Sequence, residues 1–232
     1  MQIELESRPS FGMAVVTLQS GEEITAESGA MVAMSPQVSV DTTFNGTGSG
    51  GLMDFLQAAF VGLVRKFLAG ETMFVNTFKA TGADQQVMLA PAMSGDVVAI
   101  SLDGQREITV QAGSYLASTK GIKEDLIWGG FSMLFSGEGA FFLKCSGSGE
   151  LIINSYGAIE KVEVDGSYRV DTGHVVAFEG DLRYAIKKAG GWTASVLSGE
   201  GLVLEFTGKG TVWLQTRNLS ALVGWISPHL PS

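Results

Sequence analysis

Along this chain, apolar residues gather in short runs bounded by glycine. MFVNTF at 73–78, AFFLKC at 140–145 and LVLEF at 202–206 are the strongest. Shorter runs follow them at 87–89, 151–154 and 212–215. Runs of this length, rich in β-branched and aromatic residues, predict strands. The period changes in GLMDFLQAAFVGLVRKFLAG, residues 51–70, where Leu52, Phe55, Leu56, Ala59, Phe60, Leu63, Val64, Phe67 and Leu68 recur at helical spacing. Asp54 near its start, and Arg65 and Lys66 near its end, suit the helix dipole, and Gly70 suits a helix stop. A second helix is predicted in NLSALVGWISPHL, capped by Asn218 or Ser220 and stopped by Pro228. Residues 122–135 are expected to hold a short helical turn.

The strand pattern is written three times. ITVQAGSYLAST at 108–119 aligns with YRVDTGHVVAFE at 168–179 and, less closely, with ITAESGAMVAMS from Ile24. SGEGAFFLKCSGSGELIINS from Ser136 aligns with SGEGLVLEFTGKGTVWLQT from Ser198, and AGETMFVNTFKATG from Ala69 is the third version. Each copy carries a marker glycine (Gly29, Gly113, Gly173), then a Gly-Glu pair ending at Glu71, Glu138 or Glu200, then a turn at Gly82, Gly147 or Gly208. The marker glycines are expected to hold positive φ in turns. Between marker and Gly-Glu pair, the first copy is longer by about 15 residues, where the predicted helix falls. The fold class is therefore all-β: three tandem β-sandwich repeats at 1–100, 101–165 and 166–232, with one inserted amphipathic helix and a C-terminal helix. Such units stack because one alone cannot bury its apolar face.

Composition narrows the chemistry. The 232 residues are 45% hydrophobic, enough for a substantial core, and the net charge of −9 excludes nucleic acid as an expected partner. One cysteine, Cys145, cannot form an intrachain disulfide and reads as a buried structural thiol. The N-terminus MQIELESRPSFG carries no basic segment followed by an apolar run, so a cytoplasmic location without a signal peptide is expected. His174 and His229 share no metal-ligand spacing, and neither a metal nor another cofactor is expected. GTGSGG at 46–51 lacks the Lys-Ser/Thr ending of a phosphate loop, and SGEG lacks the order of a nucleophile elbow. No catalytic residue is identified, and the chain is expected not to be an enzyme.

Two features remain as functional candidates. Glu71, Glu138 and Glu200 share one repeat position and read as turn residues facing water. The helix over 51–70 packs over the sheet, forms a subunit contact, lines an apolar-ligand pocket, or offers Phe55, Phe60, Val64 and Phe67 as an interaction surface for a membrane or a partner protein. Its uncharged stretch is too short to span a bilayer, which needs about 20 residues. The alternative function is a small-ligand binder with sites at the repeat interfaces.

GGLMDFLQAAFVGLVRKFLAGETMFVNTF at 50–78, ESGAMVAM at 27–34, QTRNLSAL at 215–222 and the closing PHLP together resemble a known family. It is the bacterial and archaeal relative of the mitochondrial biogenesis protein named for altered inheritance of mitochondria. The resemblance implies a fold like that of the tryptophan RNA-binding attenuation protein (TRAP-like), with three such units per chain. It also implies a homotrimer forming a pseudo-ninefold ring. The attenuator's RNA and tryptophan sites do not carry over, because the matching positions here lack its repeated basic residues. On these grounds the expected role is a non-enzymatic, ring-forming scaffold.

Overall fold

The computed structural model describes residues 1–44, 74–128, 141–188 and 202–229. They are mostly β-strand, in large antiparallel sheets, with one short helix near the C-terminal end. β1 (Gln2–Glu6), β2 (Met13–Leu18), β7 (Gln85–Leu89) and β4 (Met31–Met34) pair in that order in one sheet. The larger sheet takes β3 (Glu23–Glu27), β5 (Val38–Phe44), β6 (Phe74–Ala80), β8 (Val97–Asp103), β9 (Ile108–Gln111), β10 (Tyr115–Thr119) and β11 (Ile122–Trp128). It is completed by the longer strands β12 (Phe141–Asn154), β13 (Ile159–Asp171), β14 (Val175–Lys188) and β15 (Leu202–Gln215). The helix is α1 (Leu219–Ile226).

One pairing scheme recurs along the chain. β15 lies between β13 and β14 over nearly its whole length. β12 lies likewise between β8 and β9 on one side and β10 and β11 on the other. β6 and β7 do the same as separate strands, with β2 and β3 on one side and β4 and β5 on the other. Each scheme also carries a bulge at the same place, between Met31 and Ala33, Tyr115 and Ala117, and Val175 and Ala177. We refer to residues 13–89, 97–154 and 159–215 as the first, second and third segments. The schemes join edge to edge. Ala26 of β3 pairs Ala117 of β10, and Val110 of β9 pairs Ala177 of β14.

The apolar side chains form three clusters, and the first two are sealed by the segment that follows. Ala14, Val16, Ile24 and Phe78 of the first segment pack with Leu116, Ala117 and Ile152 of the second. Ile108, Val110, Leu143 and Cys145 of the second pack with Val176, Ala177 and Trp213 of the third. Phe178, Leu204, Phe206 and Val212 form the last cluster with Phe142.

Three expectations need correction. Gly29 holds φ +93°, but Gly113 and Gly173 sit inside 3-10 turns at Ala112–Ser114 and Thr172–His174 and are not left-handed. The chain there reverses by a tight helical turn, which any small residue can enter. Next, Gly147 and Gly208 do not end strands. They are left-handed bends (φ +107° and +124°) within β12 and β15, which continue through them. Finally, no helical turn occurs over Ile122–Trp128, and the rest of the stretch expected to hold one, 129–135, lies outside the described residues. Ile122–Trp128 is β11, held in register with β12 from Ile122 opposite Gly147 to Trp128 opposite Phe141. The expected C-terminal helix is present and is capped by Asn218. The expected helix over 51–70 lies outside the described residues.

At Gly208 a Cβ would fall 2.0 Å from the Asp181 carbonyl oxygen, whereas at Gly166 (φ +111°) it would meet nothing within 4 Å. Gly166→Ala therefore carries only backbone strain, about 1–3 kcal/mol. Gly208→Ala adds a backbone clash and should cost more. Urea melts of the two variants test this, and equal losses would contradict it.

Candidate functional site

Phe55, Phe60, Val64 and Phe67, and likewise Glu71, Glu138 and Glu200, lie outside the described residues. Their flanking strands are placed. Phe44 pairs Phe74, Trp128 pairs Phe141 and Lys188 pairs Leu202, so the connections at 45–73, 129–140 and 189–201 all leave equivalent hairpins.

Within the described residues, the two ends of the strand series stand out. β4 pairs only with β7, and β13 only with β15, so each leaves an edge without a strand partner among the described residues, as do β1, β5, β8 and β11. Phe11, Met31, Val32 and Met34 stand in water near the β4 end. Tyr168, Leu219, Val223 and Trp225 do so near the β13 end. Sequence reading missed these positions because their counterparts in the middle segment look the same. Only the order of the copies, one first and one last, could have marked them.

A buried polar group sits where the first segment meets the second. The Ser118 hydroxyl donates to Glu124 Oε1, and the Tyr115 and Ser118 hydroxyls share a 2.9 Å bond. The Tyr115 hydroxyl also reaches the Thr25 carbonyl on β3 at 3.4 Å. Burial raises the Glu124 carboxyl, while burial together with Glu124 raises the Tyr115 phenol. The same causes push the Cys145 thiol up to about 12, so this buried cysteine stays protonated and is no nucleophile at neutral pH. The matching positions of the third segment hold Phe178, Tyr184 and Phe206, with ring centroids 5.2 Å apart for both Phe178–Tyr184 and Phe178–Phe206. Hydrogen bonds in one segment thus occupy the place of ring contacts in another.

Both histidines bond to backbone carbonyls. His174 Nδ1 lies 2.7 Å from the Gln215 carbonyl and Nε2 lies 3.2 Å from Asn218 Nδ2. Asn218 in turn accepts from the Ala221 amide at 2.7 Å, which caps α1. His229 Nδ1 lies 3.0 Å from the Trp225 carbonyl. Among the described residues, no three metal-ligating side chains converge, and no helix is long and apolar enough to cross a membrane. A groove of about 620 Å³ lies where β9 and β12 meet β14. It contains Arg106, paired with Glu179 at 3.1 Å, and Lys144, paired with Glu107 at 2.6 Å.

The half-buried carboxyl of Glu27 on β3 has no hydrogen-bond or ion-pair partner among the described residues, and burial raises it to about 7. The folded state then holds this proton more tightly than the unfolded chain. Stability should fall as pH rises from the ordinary carboxylate range to about 7, then level off. Glu27→Gln should remove that slope. Melts should find the variant more stable by about 1–3 kcal/mol at about pH 8 and equal to the parent near pH 4. A parallel pH profile would contradict the assignment.

The family model described as Mitochondrial biogenesis AIM24 matches residues 3–217 of this chain. A Streptococcus pyogenes serotype M6 protein, described as uncharacterized, is 30% identical over 236 residues, covering 100% of this chain and 92% of its own. An X-ray crystal structure of a Streptococcus pyogenes protein resembles this fold with a TM-score of 0.79 at 27% identity, covering 99% of each chain.

Proposed function

Because the chain belongs to the mitochondrial biogenesis AIM24 family, we propose that it is a non-enzymatic assembly protein of the cytoplasm. Each chain supplies three TRAP-like sandwich units, and three chains close into a pseudo-ninefold ring. The observation that carries this reading is that β3–β10 and β9–β14 form two like joints within the chain, whereas β13 and β4, at the matching positions, have no such partner among the described residues. An open edge is a template for further pairing. Two unlike edges on one chain join head to tail, and such contacts close into rings when the rotation allows.

The ring presents residues 51–70 three times. Phe55, Phe60, Val64 and Phe67 are its surface for a membrane or membrane-bound partner, and the helical period puts Phe60, Val64 and Phe67 on one face. Three weak contacts on one rigid body add to firm attachment. The chain's charge of −9 makes an uncharged lipid surface the better match. The ligand-binding alternative has the groove near Arg106 in its favour. Two of its three cations, Arg106 and Lys144, are already matched by Glu179 and Glu107, which leaves the assembly reading the stronger.

Light scattering should return about three times the 24.4 kDa chain mass at micromolar concentration. A monomer would remove the ring. Flotation with phosphatidylcholine vesicles tests the surface. The parent should float, and Phe60→Ser with Phe67→Ser should not, while keeping the trimer mass and the β circular dichroism signal. Equal flotation of both, or of neither, would refute the membrane role.

A further inference from the structure

Each segment repeats one pair of positions, and only the third fills them with a titratable side chain. Ala30, Ser114 and His174 follow the marker glycines, and Ala90, Asn154 and Gln215 stand at the matching strand ends. In the second segment Asn154 Nδ2 is buried with no partner among the described residues. In the third, Gln215 Nε2 donates to the Gly173 carbonyl at 2.8 Å, and Oε1 accepts from the Tyr156 amide at 2.9 Å. His174 bonds the Gln215 carbonyl and also meets Asn218, the cap residue of α1. Among the described residues, only the third segment runs on into an α-helix. We propose that His174 and Asn218 form a proton-operated latch on α1. The neutral ring holds the helix cap in place, and the charged ring releases it.

The three bonds allow one arrangement of protons. A backbone carbonyl only accepts, so Nδ1, 2.7 Å from the Gln215 oxygen, carries a hydrogen. The Ala221 amide only donates, so the Asn218 atom 2.7 Å from it is Oδ1, and Nδ2 faces the ring. Nδ2 then donates to Nε2 at 3.2 Å, and Nε2 accepts only without a proton. A proton added to the ring goes to Nε2 and sets two donors against each other. The conflict ends if the Asn218 amide turns over. Its NH₂ group then meets the Ala221 amide, and the cap is lost.

Little else holds α1. None of its residues is buried, and Ala221, Leu222 and Trp225 border a cavity of about 340 Å³ shared with Tyr156, His174 and Arg217. The backbone bonds from Thr216 to Ala158 and from Arg217 to Tyr156 stop before the helix begins. Attachment therefore rests on the cap more than on packing. The ionisable groups beside the ring are Arg217 after β15, Tyr156 before β13 and, on its own turn, Asp171, whose Oδ1 accepts from the Gly173 amide at 3.0 Å. α1 carries none. Histidine is the side chain that changes charge in the range of about pH 5 to 8. His229 serves as the internal control, because its 3.0 Å bond to the Trp225 carbonyl suits either charge state.

A nitroxide on Val223→Cys reports the mobility of α1, since Val223 is exposed and the native thiol is buried. In the full chain, the mobile spectral fraction should rise as pH falls from about 7.5 to about 5. Loss of one side-chain cap sets the rise at about fivefold. With His174→Gln added, the fraction should not change with pH, and with His229→Gln it should follow the parent. Asn218→Asp should reverse the response. One carboxylate oxygen still caps α1 while the other accepts from the charged ring, so the helix is held in acid and loosened above it. The β circular dichroism signal checks that each variant is folded. Should His174→Gln fail to fold, the sign of the Asn218→Asp response decides alone. A parent fraction independent of pH, a rise that persists in His174→Gln, or an Asn218→Asp response with the parent's sign would each overturn the latch.

Discussion

Every segment of this protein depends on a strand it does not own. The first apolar cluster is closed by Leu116, Ala117 and Ile152, and the second by Val176, Ala177 and Trp213, each from the segment that follows. Backbone pairing and core burial are satisfied by the same neighbouring strand, so neither can be gained without the other. Removing a neighbour would expose a row of amides and carbonyls together with an apolar face. The structure is therefore a series of shared cores, and its two ends are the only described places where the sharing stops.

Within that constraint the segments differ in chemistry. Where the third segment fills its cluster with Phe178, Tyr184 and Phe206, the second uses Ser118, Glu124 and Cys145. The polar set keeps its place because each member finds a bond, whereas an unpartnered carboxyl in the same position would carry the full cost of burial. The segments also differ in continuity. β15 runs unbroken through Gly208, while the first segment divides the same course into β6 and β7.

Much of this was legible in the sequence, and the reason is local. Glycine spacing and apolar runs mark strand ends because turns and burial act over a few residues. The strand runs and the Asn218-capped helix were visible for that reason. The conformations of Gly113 and Gly173 were not, since a 3-10 turn and a left-handed turn both accept glycine. The long course of β12 and β15 was hidden because a bulge glycine and a turn glycine look alike. Pairing between segments, such as Val110 with Ala177, depends on residues far apart in the chain and leaves no local mark. The exposure of the end residues Val32 and Tyr168 was hidden for the same reason, since it is a property of position in the series. The phenylalanines of the 51–70 stretch keep only their sequence argument.

The order in which the cores close has a consequence during synthesis. A chain leaves the ribosome from its N-terminus, and domains generally fold as they emerge. Here the first cluster needs Ile152 and the second needs Trp213. More than half of the chain must therefore emerge before even the first core is complete, and the second waits until nearly all of it is out. For most of translation the nascent protein carries an unsealed apolar face.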